Sequence, residues 1–236
     1  MSKVSHTDPI IVIIATSFAR TNMLFERSLR SVYAQTKINP HQIYIVDDNP
    51  IKKNERFSDE YPQIKAIVKK LRETLLKPKF EKHKTEYDAY DLKFDNFFHT
   101  TIIKNKRTKG FSGTGAWNTA AFKALQYSGR TYFFAFLDDD DSWEKRYLRT
   151  IYKKVKRPIE RKIKGRTKTI KTIAAFAGIL RIEEKKEIEI QPTANQFTKE
   201  NFFIKNVGLQ GSNLFIEQKT FWRIGGFDES LKSATD

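Results

Sequence analysis

"TYFFAFLDDDDSWEK" occupies Thr131 to Lys145. The stretch from Thr131 to Leu137 is aromatic and aliphatic with no charge, which is how a strand buried on both faces of a sheet reads. Four carboxylates, Asp138 to Asp141, stand directly at its carboxyl end. In open α/β sheets ligands collect at the carboxyl ends of strands, so this order points to a fold class and to a site at once. Carboxylates packed this closely repel one another and raise each other's pKa unless a cation or hydrogen-bond donors compensate. The plainer reading is a solvated turn in which one aspartate, Asp141, caps a helix beginning near Trp143.

Upstream, Ile10-Ile-Val-Ile-Ile14 is continuously β-branched and reads as a second buried strand. Thr21 and Asn22 are placed to cap a helix whose Leu24, Phe25, Leu29 and Val32 recur at helical spacing. Ile43 to Val46 is again a strand, and it runs into Asp47-Asp48-Asn49-Pro50. Strand, helix and strand in this order imply parallel pairing with a right-handed crossover. Two strands therefore end in acidic clusters, and both clusters should share one cleft.

Thr100 to Ile103 is a further strand, followed by the glycine-rich Gly110 to Asn118 and a helix from Thr119 to about Gln126 with Ala121, Phe122 and Leu125 on one face. Ile173 to Ile182 reads as one strand, Glu187 to Ile190 as its partner, and Asn213 to Ile216 as another strand. Glu217 to Ile224 is a short helix stopped by Gly225-Gly226, glycine being the residue that tolerates a left-handed stop. Residues 50–98, with a helix over Gln63 to Leu76, read as a surface elaboration. The simplest domain account is one α/β domain over 1–236, a mostly parallel sheet flanked by helices.

The chain holds 44 Lys and Arg against 28 Asp and Glu, a net charge of +16, which favours an acidic partner. Ten of those cations and one acid, Glu160, lie in 153–171, so +9 is concentrated in one segment, expected as a solvated loop outside the cleft. Without cysteine there is neither a disulfide nor a thiolate metal site, and four scattered histidines do not suit zinc. The apolar run at Ile10 to Ala15 is far shorter than the roughly 20 residues of a membrane span. A cytoplasmic protein peripheral to a membrane is expected.

Six motifs in order, "IIVIIATSFAR" (Ile10 to Arg20), "SVYAQT" (Ser31 to Thr36), "IYIVDDN" (Ile43 to Asn49), "GAWN" (Gly115 to Asn118), "FLDDDD" (Phe136 to Asp141) and "GGFDE" (Gly225 to Glu229), resemble the family 2 glycosyltransferases with the GT-A fold. The resemblance extends over nearly the whole chain from Pro9. It implies an inverting, metal-dependent transfer of a sugar from a nucleotide sugar, foremost a UDP-sugar, to a hydroxyl of a glycan or glycoconjugate. It gives Thr16 and Phe18 to the nucleotide pocket and Asp48 to the imide N–H of a uracil. Asp139 falls to the ribose, with Asp138 in support, and Asp140 to the Mn²⁺ or Mg²⁺ that bridges the diphosphate. Arg20 would reach the diphosphate, Gly110 and Asn118 would meet the donor, and Gly211, Ser212 and Asn213 would form the acceptor-side loop.

Trp117 stands where the family commonly has Arg, and both 49–109 and the glycine-rich stretch are longer than the usual pattern. The family's catalytic base follows the "GGFDE" turn, which places it at Asp236 with Thr235 before it, while Asp228 and Glu229 belong to the turn. A base at the final residue raises the expectation that the chain is completed by a longer polypeptide. Trp143 and Trp222 read as core or rim aromatics, and His41, His83 and His99 as structural or exposed. Two other readings stand beside the transferase. One is a non-catalytic nucleic-acid or anionic-surface binding protein, although acidic strand ends make a poor phosphate groove. The other is a nucleotidyltransferase, which lacks its basic phosphate loop after the first strand.

Overall fold

The computed structural model describes residues 8–17, 20–49, 66–67, 69–70, 79–82, 90–93, 99–105, 107, 113–163, 165–183, 186–190, 200–201 and 209–230. Phe18, His83, Gly110, Thr235 and Asp236 lie outside them, as does most of the expected 63–76 helix, of which Ala66, Ile67, Lys69 and Lys70 are helical.

The apolar runs become the centre of an eight-stranded sheet. β1 (Asp8–Thr16) pairs in parallel with β2 (Pro40–Asp47) on one side and with β6 (Phe133–Asp138) on the other, and β2 pairs in parallel with β5 (His99–Lys104). Antiparallel strands flank this core. β3 (Lys79–Lys82) and β4 (Tyr90–Lys93) extend it beyond β5, while β12 (Leu214–Glu217) and β9 (Ala174–Phe176) extend it beyond β6. The order is β3-β4-β5-β2-β1-β6-β12-β9. Part of the expected surface elaboration is thus a sheet edge, its strands too polar to announce themselves by apolar periodicity.

Successive side chains of a strand point to opposite faces, and β1 supplies both cores accordingly. Ile10, Val12 and Ile14 pack with Leu24, Leu29 and Val32 of the helix over 21–33 and with Leu148, Ile151 and Val155 of the helix Tyr147–Lys156. Ile11, Ile13 and Ala15 pack on the other face with Ala116, Trp117 and Ala120 of the helix Thr114–Lys123 and with Phe221 of the helix Gln218–Arg223. Gly225 and Gly226 follow that last helix at φ of 90° and 77°, as the glycine stop requires.

Several expected boundaries move. The helix over 21–33 is capped by neither Thr21 nor Asn22; Arg20 holds the N-cap position, with no side-chain bond to the helix. The helix expected from Thr119 begins at Thr114, and its buried face is Ala116, Trp117, Ala120 and Ala121, leaving Phe122 exposed. Ile173 to Ile182 is two strands, β9 and β10 (Ile179–Glu183), parted at Ala177 and Gly178, where Asn213 meets the chain. Its Nδ2 donates to the carbonyl of Ala177 (2.9 Å), and its own carbonyl accepts the Ala177 N–H (3.2 Å). β10 pairs with β11 (Lys186–Ile190), in line with the sequence reading. The basic segment is not a loop: past the lysine-rich end of the Tyr147–Lys156 helix it forms a hairpin, β7 (Ile159–Ile163) with β8 (Arg166–Ile170), turned at Gly165 with φ of 75°. Among the described residues no helix is long and apolar enough to cross a membrane.

Candidate active site

Register brings the two acidic clusters to one place. Ala15 lies opposite Asp138 across β1 and β6, and Thr16 lies opposite Asp47 across β1 and β2. The end of β1 is therefore the wall between them, and Thr16 holds both sides: its carbonyl accepts the Asp48 N–H (2.8 Å) and its hydroxyl donates to Asp139 (2.9 Å). The resulting cleft, about 1680 Å³, is lined by Thr16, Arg20, Asp48, Gly113, Trp117 and the four aspartates, with the Gly211–Asn213 turn opposite.

The two Asp47-Asp48 carboxylates have different work. Asp47 is structural: Nζ of the buried Lys104 donates to it at 2.9 Å, and Asn49 closes on its other oxygen through both backbone N–H and side-chain amide. Asp48 faces the cleft and accepts from Asn105 Nδ2 at 2.6 Å, while Asn105 Oδ1 accepts from the Thr119 hydroxyl at 2.7 Å. Lys104 and Asn105 escaped the sequence reading. The available signal was register, since a lysine ending β5 must fall beside the aspartate ending β2.

Within the four-aspartate run, Asp139 is buried and bound on three sides, by Thr16, by the Ser17 N–H (3.3 Å) and by the Arg20 guanidinium (3.0 Å). Arg20 also pairs with Asp140, whose carbonyl accepts from Arg27 (3.1 Å). Arg20 thus bridges two carboxylates. Burial pushes the Asp138 carboxyl well above the usual carboxylate range, the charges of Asp141, Asp140 and Asp139 push it further, and Arg20 opposes them. Burial likewise raises Asp139, against the Thr16 bond and Arg20, and raises Asp141, against Ser212. Asp141 is not the expected cap: the helix begins only at Tyr147, with Arg146 at its N-cap and no side-chain bond there.

Gln35, inside the "SVYAQT" motif, does the capping. Buried at the end of the 21–33 helix, it accepts the Leu148 N–H at 2.9 Å and donates to the carbonyls of Ser31 (3.1 Å) and Glu144 (2.9 Å). The opposite wall is fixed by Ser212, whose hydroxyl accepts the Asp138 N–H (3.0 Å) and whose carbonyl accepts from Trp143 Nε1 (3.0 Å). Trp143 is a core residue, as expected.

Asn118 is not among the residues that line the cleft. Its amide is spent on the "GGFDE" turn, donating to the Phe227 carbonyl and to Glu229 at 2.8 Å each and accepting the Phe227 N–H at 3.0 Å. Glu229 also takes a bond from Arg107 (2.6 Å), and Asp228 holds the N–H and hydroxyl of Ser230. Both acids are turn residues, as their sequence context implied.

The carboxylate run fits a hard divalent ion of the kind that one or two protein carboxylates hold while ligand oxygens complete its shell. Arg20 compensates its charge only in part, since burial still raises Asp138, Asp139 and Asp141, and among the described residues no group of three His, Cys, Asp or Glu is disposed to hold a metal by itself.

No family model and no curated protein matches the chain. Two solved structures of S. aureus TarS are similar to it. One, of residues 1–349, has TM-score 0.48 and 17% identity over 97% of this chain; the other has TM-score 0.49 and 16% identity over 97%. This chain spans 52% and 32% of those two chains.

Proposed function

We propose that the protein is an inverting glycosyltransferase of GT-A type that moves a sugar from a nucleotide sugar, foremost a UDP-sugar, to a hydroxyl of a glycan or glycoconjugate. The observation that carries this reading is the meeting of Asp48 and the Asp138–Asp141 run on either side of Thr16 at the carboxyl edge of a parallel sheet. Asp48, held by Asn105, is the group that would accept the uracil imide N–H. Asp139 would meet the ribose, supported by Asp138, and Arg20, already bridging Asp139 and Asp140, would turn to the diphosphate. Gly211, Ser212 and Asn213 would form the acceptor side.

Asp140, with its carboxylate at the cleft surface, would hold Mn²⁺ or Mg²⁺, and when bound the ion would supply neutralisation of the charge on the leaving diphosphate. In the transfer, the acceptor oxygen forms its bond to the anomeric carbon as the bond to the diphosphate oxygen breaks on the opposite face. The hydroxyl proton passes to a carboxylate base. Asp236 is the proposed base and lies outside the described residues, while Asp228 and Glu229 are already committed to the turn. Placement in the cytoplasm against an anionic membrane face completes the reading.

The test is a thermal-shift screen of nucleoside diphosphates with Mn²⁺ or Mg²⁺. A ligand at 100 times its dissociation constant stabilises by about 2.7 kcal/mol. UDP with metal should give this shift and Asp140→Ala should lose it while keeping its fold. Stabilisation by RNA or DNA alone would overturn the proposal.

A further inference from the structure

The β7–β8 hairpin concentrates a second, separate chemistry. In its antiparallel register Ile159 lies opposite Ile170, and Arg161 lies opposite Lys168. Directly paired residues of a hairpin share a face, and so do residues two apart. One face therefore carries Ile159, Arg161, Arg166, Lys168 and Ile170, and the other carries Glu160, Lys162, Thr167 and Thr169. Ile159 is 43% exposed, and Arg161, Arg166 and Lys168 are exposed as well.

Two features of this face call for a partner. Like charges directly opposite across two strands are destabilising, and an anion seated between Arg161 and Lys168 removes the penalty. A two-stranded hairpin exposed on both faces is marginal in water and gains by laying one face on another surface. The isoleucines choose the surface. A soluble polyanion would pair with the cations and leave Ile159 in water, whereas a lipid interface takes cations at the phosphates and apolar side chains just beneath them.

We infer that the Ile159–Arg161–Lys168–Ile170 face of the hairpin docks on an anionic lipid surface, with headgroup phosphates between Arg161 and Lys168 and the two isoleucines entering the interface. The inference deepens the membrane placement proposed above by naming the face that makes the contact, and it does not depend on the sugar-transfer reading. The hairpin follows the Tyr147–Lys156 helix, and none of its described residues lines the cleft, so docking and donor binding are separable.

The experiment is co-sedimentation of the full chain with phosphatidylcholine vesicles, with and without phosphatidylglycerol. Binding is expected only where the anionic lipid is present. Arg161→Gln/Lys168→Gln should weaken it about 30-fold, two basic residues' worth of surface attraction. Relief of the like-charge pair means that this variant does not lose binding by losing its hairpin. Thr167→Glu/Thr169→Glu changes the net charge by the same amount on the other face and should weaken binding only a few-fold. Ile159→Ser/Ile170→Ser should remove the binding that persists in high salt. Equal losses for the two charge variants, equal binding to neutral vesicles, or inorganic polyphosphate competing off all vesicle binding in the parent would each overturn the inference. UDP-dependent thermal shifts, measured in parallel without vesicles, report the transferase reading independently.

Discussion

Trp117 and Gly211 meet so closely that a Cβ on Gly211 would overlap the outer edge of the indole ring. The ring is held against Phe136 and Phe227, with centroids at 5.7 and 5.1 Å. This contact sets the height of the Gly211–Asn213 turn, which delivers Ser212 to the Asp138 N–H. Gly211→Ala should cost about 2 kcal/mol, within the usual range for overpacking a core. In a urea-melt double-mutant cycle, Trp117→Leu should be less damaging in the Gly211→Ala background than alone, with a coupling of about 1 kcal/mol or more. Additive effects would mean that the overlap is not the cause.

Gln35 joins the end of one helix to the start of another with both ends of a single buried amide. Gln35→Leu keeps the bulk and strands the Leu148 N–H and the Glu144 carbonyl, a loss of about 2 kcal/mol for buried groups left unpaired. Gln35→Glu restores only the acceptor. Denaturant midpoints should fall in the order parent, Gln35→Glu, Gln35→Leu.

The parallel core was legible because burial on both faces makes β1, β6 and the Ile43–Val46 half of β2 continuously apolar, and their order exposed the acidic strand ends. The helix Thr114–Lys123 was misplaced for the opposite reason. Its inner face is alanine and Trp117 fitted tightly to the sheet, its first turn follows a left-handed Gly113, and the larger apolar residues Phe122 and Leu125, each 47% exposed, pulled the reading one turn and more downstream. The basic hairpin hid because neither face is uniformly apolar, so the alternation that marks a strand is written in cations. Lys104 and Asn105 required pairing register, which single strands do not reveal.

Lys104 and Asp47, 2% and 1% exposed, form an ion pair that tethers the ends of β2 and β5 beside Asp48. Removing one member leaves a buried charge with incomplete compensation, which costs about 3 kcal/mol, whereas replacing both avoids that penalty. Lys104→Met should therefore lower stability more than Lys104→Met/Asp47→Asn in guanidinium melts. The single variant should also weaken uridine nucleotide binding, because Asn105 follows Lys104 directly and orients Asp48.

The Asp138 carboxyl, raised well above the ordinary value of 3.8 first by burial and then by Asp141, Asp140 and Asp139, makes the metal-free cleft weaken as it ionises. A carboxyl whose folded pKa lies above its unfolded one binds protons more tightly in the native state. Its stabilising contribution is whole below the unfolded value and is lost as pH rises through the folded one. Asp138→Asn keeps the shape and the backbone N–H that Ser212 accepts from, yet cannot ionise. Parent and variant should melt together below pH 3.8, with the variant pulling ahead as pH rises toward neutrality. Saturating Mn²⁺ should narrow that lead near neutrality by supplying the missing positive charge to the parent. A melting-temperature difference that stays constant across the pH series would show that Asp138 ionises as freely in the fold as outside it.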